Sequence, residues 1–122
     1  MRVDVSVYGS LSRRLGGKHI ATRQVNLPET AKIRDLYALL GVSSKETSYV
    51  FINAILADMP GIHAAPEEPL HDGDHVGIFS LGYIWPYQYR DGASMTARLL
   101  AALDERIPLH HDTRYTNTEK GV

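Results

Sequence analysis

Apolar and polar residues alternate near the start of the chain, and this period predicts strands. Val3, Val5 and Val7 are separated by polar side chains, as in a strand with one buried face. The stretch 20–27 repeats the pattern, and Pro28 ends it because proline cannot donate to a strand ladder. We therefore expect the first two strands to form an antiparallel hairpin with a long loop.

The loop of this hairpin is basic and glycine-rich. Leu11 and Leu15, followed by Gly16-Gly17, predict one short helical turn that the glycines close. Two interpretations of the basic residues compete: a phosphate-binding loop and, more strongly favoured, an ordinary solvated loop. These basic residues are Arg13, Arg14, Lys18 and His19.

A helical period follows Pro28 and predicts an amphipathic helix of about three turns with one face on the sheet. Thr30 is the expected N-cap, and Gly41 stands where a glycine commonly ends a helix. The apolar stripe consists of Ile33, Leu36, Tyr37 and Leu40.

Two more strands flank a second turn. The stretch 49–55 predicts a strand with Val50 and Ile52 inward, and 55–59 a short edge strand. Asn53-Ala54 can form the turn between them, since asparagine tolerates left-handed backbone geometry.

A last strand follows the turn dipeptide Asp72-Gly73, with Val76 and Ile78 on its buried side. We expect this strand to neighbour the Val3–Val7 strand in one mixed sheet. The order is strand, strand, helix, strand, short strand, strand. One helix packed on such a sheet predicts a two-layer α+β domain.

Composition narrows the classes of function. The chain has 122 residues, 43% of them hydrophobic, which is enough for one domain with one core. Its net charge of −1 offers no overall field toward nucleic acid or an anionic membrane, so neither is an expected partner. The absence of cysteine excludes disulfides, thiolate metal sites and a cysteine nucleophile, and agrees with a cytoplasmic location. No signal peptide and no membrane-spanning apolar run is visible.

Taken together, residues 1–82 resemble the MoaD/ThiS family of sulfur carriers in molybdopterin and thiamine synthesis. This resemblance implies a ubiquitin-like β-grasp fold for that stretch. It rests on Tyr8-Gly9-Ser10-Leu11, Leu15-Gly16-Gly17-Lys18, the helix Ala31–Gly41, the strand Val50–Asn53, and Leu70 followed by Asp72–Val76.

The family's chemistry, however, requires a feature that this sequence lacks. In that family a flexible tail ends in Gly-Gly, and a partner enzyme adenylates the terminal carboxylate and converts it to a thiocarboxylate. The corresponding position here is near Ile84-Trp85, and the only Gly-Gly pair is Gly16-Gly17. We therefore expect a non-catalytic accessory or binding subunit. The alternative is a genuine carrier, activated by proteolytic removal of the extension after Gly82 or Gly92.

Residues 83–122 form a C-terminal extension that the resemblance does not explain. Its aromatic residues recur two apart, as in a strand with all rings on one side, and its leucines recur at helical spacing through Arg106. The leucine stripe packs either back on this domain or onto another chain, and we expect the segment to bind a protein partner. The expected partner-binding residues are Tyr83, Trp85, Tyr87, Tyr89, Met95, Leu99 and Leu103.

Other chemistry has little support in the sequence. His71 and His75 flank a turn, and His110-His111 lies near the end, but zinc needs three or four converging ligands. No nucleophile, phosphate-loop or paired-carboxylate motif is present. We expect no catalytic residue, no bound metal and no cofactor. The expected partner is a larger enzyme subunit, an adenylating enzyme or a second copy of the chain.

Overall fold

The computed structural model of the chain describes residues 1–82 and 94–106 as an α+β fold with one mixed sheet. In the described residues, short 3-10 helices span Ser10–Leu15, Ser44–Glu46 and Ala65–Glu67. The strands are β1 (Arg2–Tyr8), β2 (Ile20–Asn26), β3 (Thr47–Ile52), β4 (Ile55–Asp58) and β5 (His75–Ser80), and the helices are α1 (Ile33–Leu40) and α2 (Ala97–Arg106).

The sheet has five strands in the order β2-β1-β5-β3-β4. β1 pairs with β2 in antiparallel register, which confirms the hairpin, and with β5 in parallel. The prediction that the first and last strands are adjacent in one sheet is therefore confirmed. β3 pairs with β5 and β4 in antiparallel register, so the short strand β4 lies at an edge, as predicted.

The inner face of the sheet carries the main core. The inward side chains of β1, β3 and β5 pack with α1 in one buried cluster, because alternate residues of each strand point to the same side. This confirms the predicted inward positions. They are Val3, Val5, Val7, Val50, Ile52, Val76 and Ile78, which meet Ile33, Leu36 and Tyr37 of α1, with Leu40 at the margin.

The start of α1 differs from the prediction. Thr30 is not the N-cap; the helix begins at Ile33, and Lys32 occupies the cap position with extended backbone. Lys32 forms a β-bridge with Pro69, which holds the chain extended up to the helix. The Asp35 carboxylate accepts the Lys32 N–H at 2.8 Å. The helix is accordingly about two turns long, and Gly41 ends it in the left-handed region as expected.

The β3–β4 turn is confirmed at Asn53-Ala54. Both residues have positive φ, 52° and 68°, which is the geometry of the two-residue type I′ hairpin turn. Asparagine suits this region better than alanine, which has a Cβ and no side-chain hydrogen bond to offset the strain.

The outer face of the sheet is covered at one side by α2. Leu56 of β4 and Leu99 of α2 are fully buried in one apolar cluster, which also contains Ala64. The residues just before α2 also pair with the edge of β4. Leu56 N–H donates to Ser94 O at 2.7 Å, and Thr96 N–H donates to Leu56 O at 2.9 Å. Of the two alternatives for the leucine stripe, packing back on this domain is therefore the one observed.

Candidate functional site

The predicted partner-binding residues divide into two groups. Tyr83, Trp85, Tyr87 and Tyr89 lie outside the described residues, as does the second processing candidate, Gly92. The described members are Met95, Leu99 and Leu103, with the processing candidate Gly82.

The described members of the stripe come together on β4. Leu99 is 0% exposed, and Met95 and Leu103 pack at the edge of the same cluster, as do Tyr49 and Phe51 of β3. The Thr96 hydroxyl accepts the Leu99 N–H at 3.1 Å and so fixes the first turn of α2. Leu99 thus belongs to an intramolecular core. The neighbouring Leu100, by contrast, is 51% exposed.

Aromatic side chains occupy outward positions of three adjacent strands. The rings of Tyr8 and Phe79 stack with centroids 4.6 Å apart, and Phe51 meets Phe79 edge-on at 5.9 Å. All three are half-buried. Sequence reasoning followed only the inward residues of these strands. The missed signal is that three of the alternating outward positions are aromatic rather than polar.

The end of β5 is tightly held up to the residue before Gly82. The Ser80 hydroxyl donates to Tyr8 O at 2.7 Å and accepts the Leu11 N–H at 2.9 Å. Leu81 N–H donates to Glu46 O at 2.9 Å. Gly82 follows in an exposed position with φ of 87°. It is therefore the first residue beyond the anchored end of the strand.

A shallow groove of about 330 Å³ opens beside this strand end. Arg14 and Glu46 form a two-pronged ion pair in its wall, with Arg14 Nη1 also 2.9 Å from Gly41 O. The hydrogen bonds from Arg14 and then from the Ser43 N–H lower the pKa of Glu46 to about 2. The groove is lined by Ser10, Leu11, Arg14, Lys45, Glu46 and Leu81.

At the opposite end of the sheet, the side chains of Asp74 and Asn53 bind backbone N–H groups of two histidines. The Asp74 carboxylate accepts the His71 N–H and the Asn53 side-chain amide, both at 2.8 Å. The Asn53 oxygen accepts the His75 N–H at 2.9 Å. Within residues 1–82 and 94–106, no three histidine, aspartate or glutamate side chains converge as metal ligands. His110 and His111 lie outside the described residues.

The Asp58 carboxylate is buried, and backbone groups hold it. Asp58, at the end of β4, accepts N–H groups from Met59, Ala64 and Ala65 at 2.9, 3.1 and 3.0 Å. These bonds close the loop that follows β4, which contributes Ala64 to the outer cluster. Burial, and secondarily the charge of Asp58, raise the pKa of Tyr37. The hydrogen bonds of the Asp58 carboxylate thus hold the loop that packs beside α2.

Comparisons with known proteins give no relative. The chain matches no protein-family model, no curated protein and no solved structure. Among the described residues, neither α1 nor α2 has the length and apolar content needed to cross a bilayer.

Proposed function

We propose that this chain is a ubiquitin-like β-grasp protein of the MoaD/ThiS type that acts as a non-catalytic accessory or binding subunit. The order of elements supports the fold assignment, because one helix crosses a mixed sheet whose parallel neighbours are the first and last strands. No cofactor takes part, and the location is the cytoplasm, where a chain without cysteine is at no disadvantage.

The observation that carries this proposal is the anchoring of the chain beyond Gly82. Residues Ser94–Thr96 pair with the edge of β4, and Leu99 is buried against β4 and β3. A sulfur carrier of the resembled type works through a free terminal carboxylate on an unanchored tail. Here the chain beyond the last strand returns to the sheet, which favours action through the surface of the uncut protein.

The partner is a protein: a larger enzyme subunit, an adenylating enzyme or a second copy of the chain. Two exposed leucines support a contact region over residues 83–106, since Leu81 precedes it at 60% exposure and Leu100 lies within it at 51%. Contact with a partner would remove these two side chains from water. The net charge of −1 gives no reason to include nucleic acid or membranes among the partners.

A second candidate function, a genuine sulfur carrier, is favoured by one specific observation. Every residue of the inner core cluster lies between positions 3 and 78, so a cut after Gly82 leaves that cluster intact. The exposed Gly82 would then become the terminal residue, and Gly92 would do so after a cut further along. This candidate requires proteolysis, whereas the accessory role requires none.

Association of the intact protein tests the proposed function. We expect sedimentation velocity to detect a complex, either of two copies or with a protein from the native cells. Trp85→Ala should weaken its Kd by roughly thirty- to a thousandfold, as expected for about 2–4 kcal/mol at an interface centre. Leu39→Ala is the matched control, because Leu39 is exposed on α1, the helix that packs on the inner face of the sheet.

Two results would contradict the association. One is a monomer at every concentration, with and without native-cell proteins. The other is unfolding of the whole domain by Trp85→Ala, which would assign the ring to the core.

A further inference from the structure

The loop between β1 and β2 carries an unbalanced positive charge. From Gly9 to His19 the sequence contains three lysine or arginine residues and no aspartate or glutamate. Hydrogen bonds from Gly9 N–H to His19 O and from Gly17 N–H to Ser12 O close the loop on itself. The charges therefore stay at the end of the sheet where β1 and β5 finish.

Most of this charge is not neutralised. Glu46 pairs with Arg14, and the Arg23 guanidinium donates to Leu15 O at 2.7 Å. Arg13, Lys18 and Lys45 are exposed, and none of them forms an ion pair within the part of the chain that the structure describes. This basic end consists of Arg13, Arg14, Lys18 and Lys45, with Glu46 as the acidic residue bound to it.

An apolar side chain stands among these charges. Leu81 is 60% exposed and lines the groove of about 330 Å³ together with Lys45 and the Arg14–Glu46 pair. The bond from Leu81 N–H to Glu46 O fixes its position relative to that pair. A partner that fills the groove therefore meets a leucine, an ammonium group and a guanidinium–carboxylate pair at once.

We propose that the basic end and its groove bind an acidic segment of a protein partner, with Leu81 covered by an apolar side chain of that segment. This inference rests on the proposed function and names the chemistry of the partner. Carboxylates complement the free ammonium and guanidinium groups, and an apolar residue covers Leu81. In sequence, Leu81-Gly82 directly precedes the segment 83–106.

A phosphate polyanion fits this surface less well. A phosphate has no apolar part to cover Leu81, and long nucleic acids are held by rows of phosphate contacts that so few free cations cannot supply.

The test uses the full chain and a fluorescein-labelled peptide of glutamates around one central leucine, followed by anisotropy. We expect binding at low salt that weakens as salt rises, because the Debye length falls from about 30 Å at 0.01 M to about 8 Å at 0.15 M. Lys45→Glu should weaken the Kd by roughly three- to tenfold. Leu81→Ser should weaken it by a similar factor, roughly three- to tenfold.

Two matched controls keep the test specific. Arg2→Glu makes the same charge change at the opposite end of the sheet, where Arg2 N–H binds Asp72. Leu39→Ser removes an equally exposed leucine, 55% exposed, from α1. Both should leave the Kd unchanged, whereas an effect equal to that of Lys45→Glu or Leu81→Ser would overturn the site.

The remaining outcomes separate this inference from the proposed function. Failure of the peptide to bind overturns the basic end while leaving Trp85-dependent association standing. Tighter binding of a single-stranded oligonucleotide than of the peptide, insensitive to Leu81→Ser, also overturns it, in favour of a phosphate polyanion. Peptide binding by a chain that forms no complex through Trp85 supports the basic end and contradicts the proposed association surface.

Discussion

The two faces of the sheet are covered by helices that come from very different places in the chain. On the inner face, α1 lies between β2 and β3 in sequence, and the whole buried cluster comes from positions 3–78. On the outer face, α2 begins at Ala97 and covers β4 and part of β3. In sequence, the helix of the inner layer thus lies between strands that it packs on. The helix of the outer layer follows the last strand.

This difference indicates which contacts the core could keep without α2. The inner cluster contains no residue of α2. In the outer cluster, Leu56 and Ala64 are buried together with Leu99, so loss of α2 would expose apolar side chains of β4 and its following loop. We infer that α2 stabilises the outer face without being needed to build the inner one.

The largest effect is expected for Leu99→Ala in the outer layer. Truncation of this fully buried leucine should lower the free energy of unfolding by about 2–5 kcal/mol, through lost burial and the cavity left behind. Urea unfolding followed by circular dichroism measures it. Leu100→Ala is the matched control, because the adjacent leucine is 51% exposed and should change stability by less than about 0.5 kcal/mol. Equal effects of the two substitutions would mean that α2 is not packed on β4.

A smaller, stabilising effect is expected at the turn that joins β3 and β4, the strands that α2 covers. Ala54 has φ of 68°, a region that glycine adopts without strain. Ala54→Gly should therefore raise the free energy of unfolding by about 1 kcal/mol. Ala38→Gly, in the exposed part of α1, should lower it by about 1 kcal/mol. Destabilisation by both substitutions would contradict the type I′ turn.

The smallest effect is expected at the ion pair beside the inner layer, and it depends on pH. Hydrogen bonds to Arg14 and Ser43 lower the pKa of Glu46 from 4.5 to about 2. A lowered pKa means that ionised Glu46 contributes stability above about pH 4.5 and loses it as the pH falls toward 2. The difference in unfolding free energy between wild type and Glu46→Gln should be constant at neutral pH and shrink over that range.

The double substitution provides the control for this titration. In an Arg14→Gln background the pH dependence of the Glu46→Gln difference should be smaller, since only the Ser43 N–H remains as donor. An unchanged dependence would show that the arginine does not lower the Glu46 pKa.

The two layers of the fold also differ in how much of them the sequence could predict. Strand alternation marks Val3, Val5 and Val7 as inward, because a period of two needs only local residues. The start of α1 was predicted wrongly, since its position depends on a bridge from Lys32 to Pro69, far along the chain. The apolar stripe of α2 could be recognised in the sequence, but the surface on which it packs could not. Periodicity places Leu99 on the apolar face of a helix, but it does not identify Leu56 as the residue that covers it.

In the proposed function the protein acts as an uncut chain that retains α2 on its sheet. The most direct measurement is the intact mass of the protein isolated from its native cells. We expect a species that retains α2, with no form ending at Gly82 or Gly92. A species that ends at either glycine, above all one heavier by the exchange of an oxygen for a sulfur, would contradict it and establish the carrier function instead.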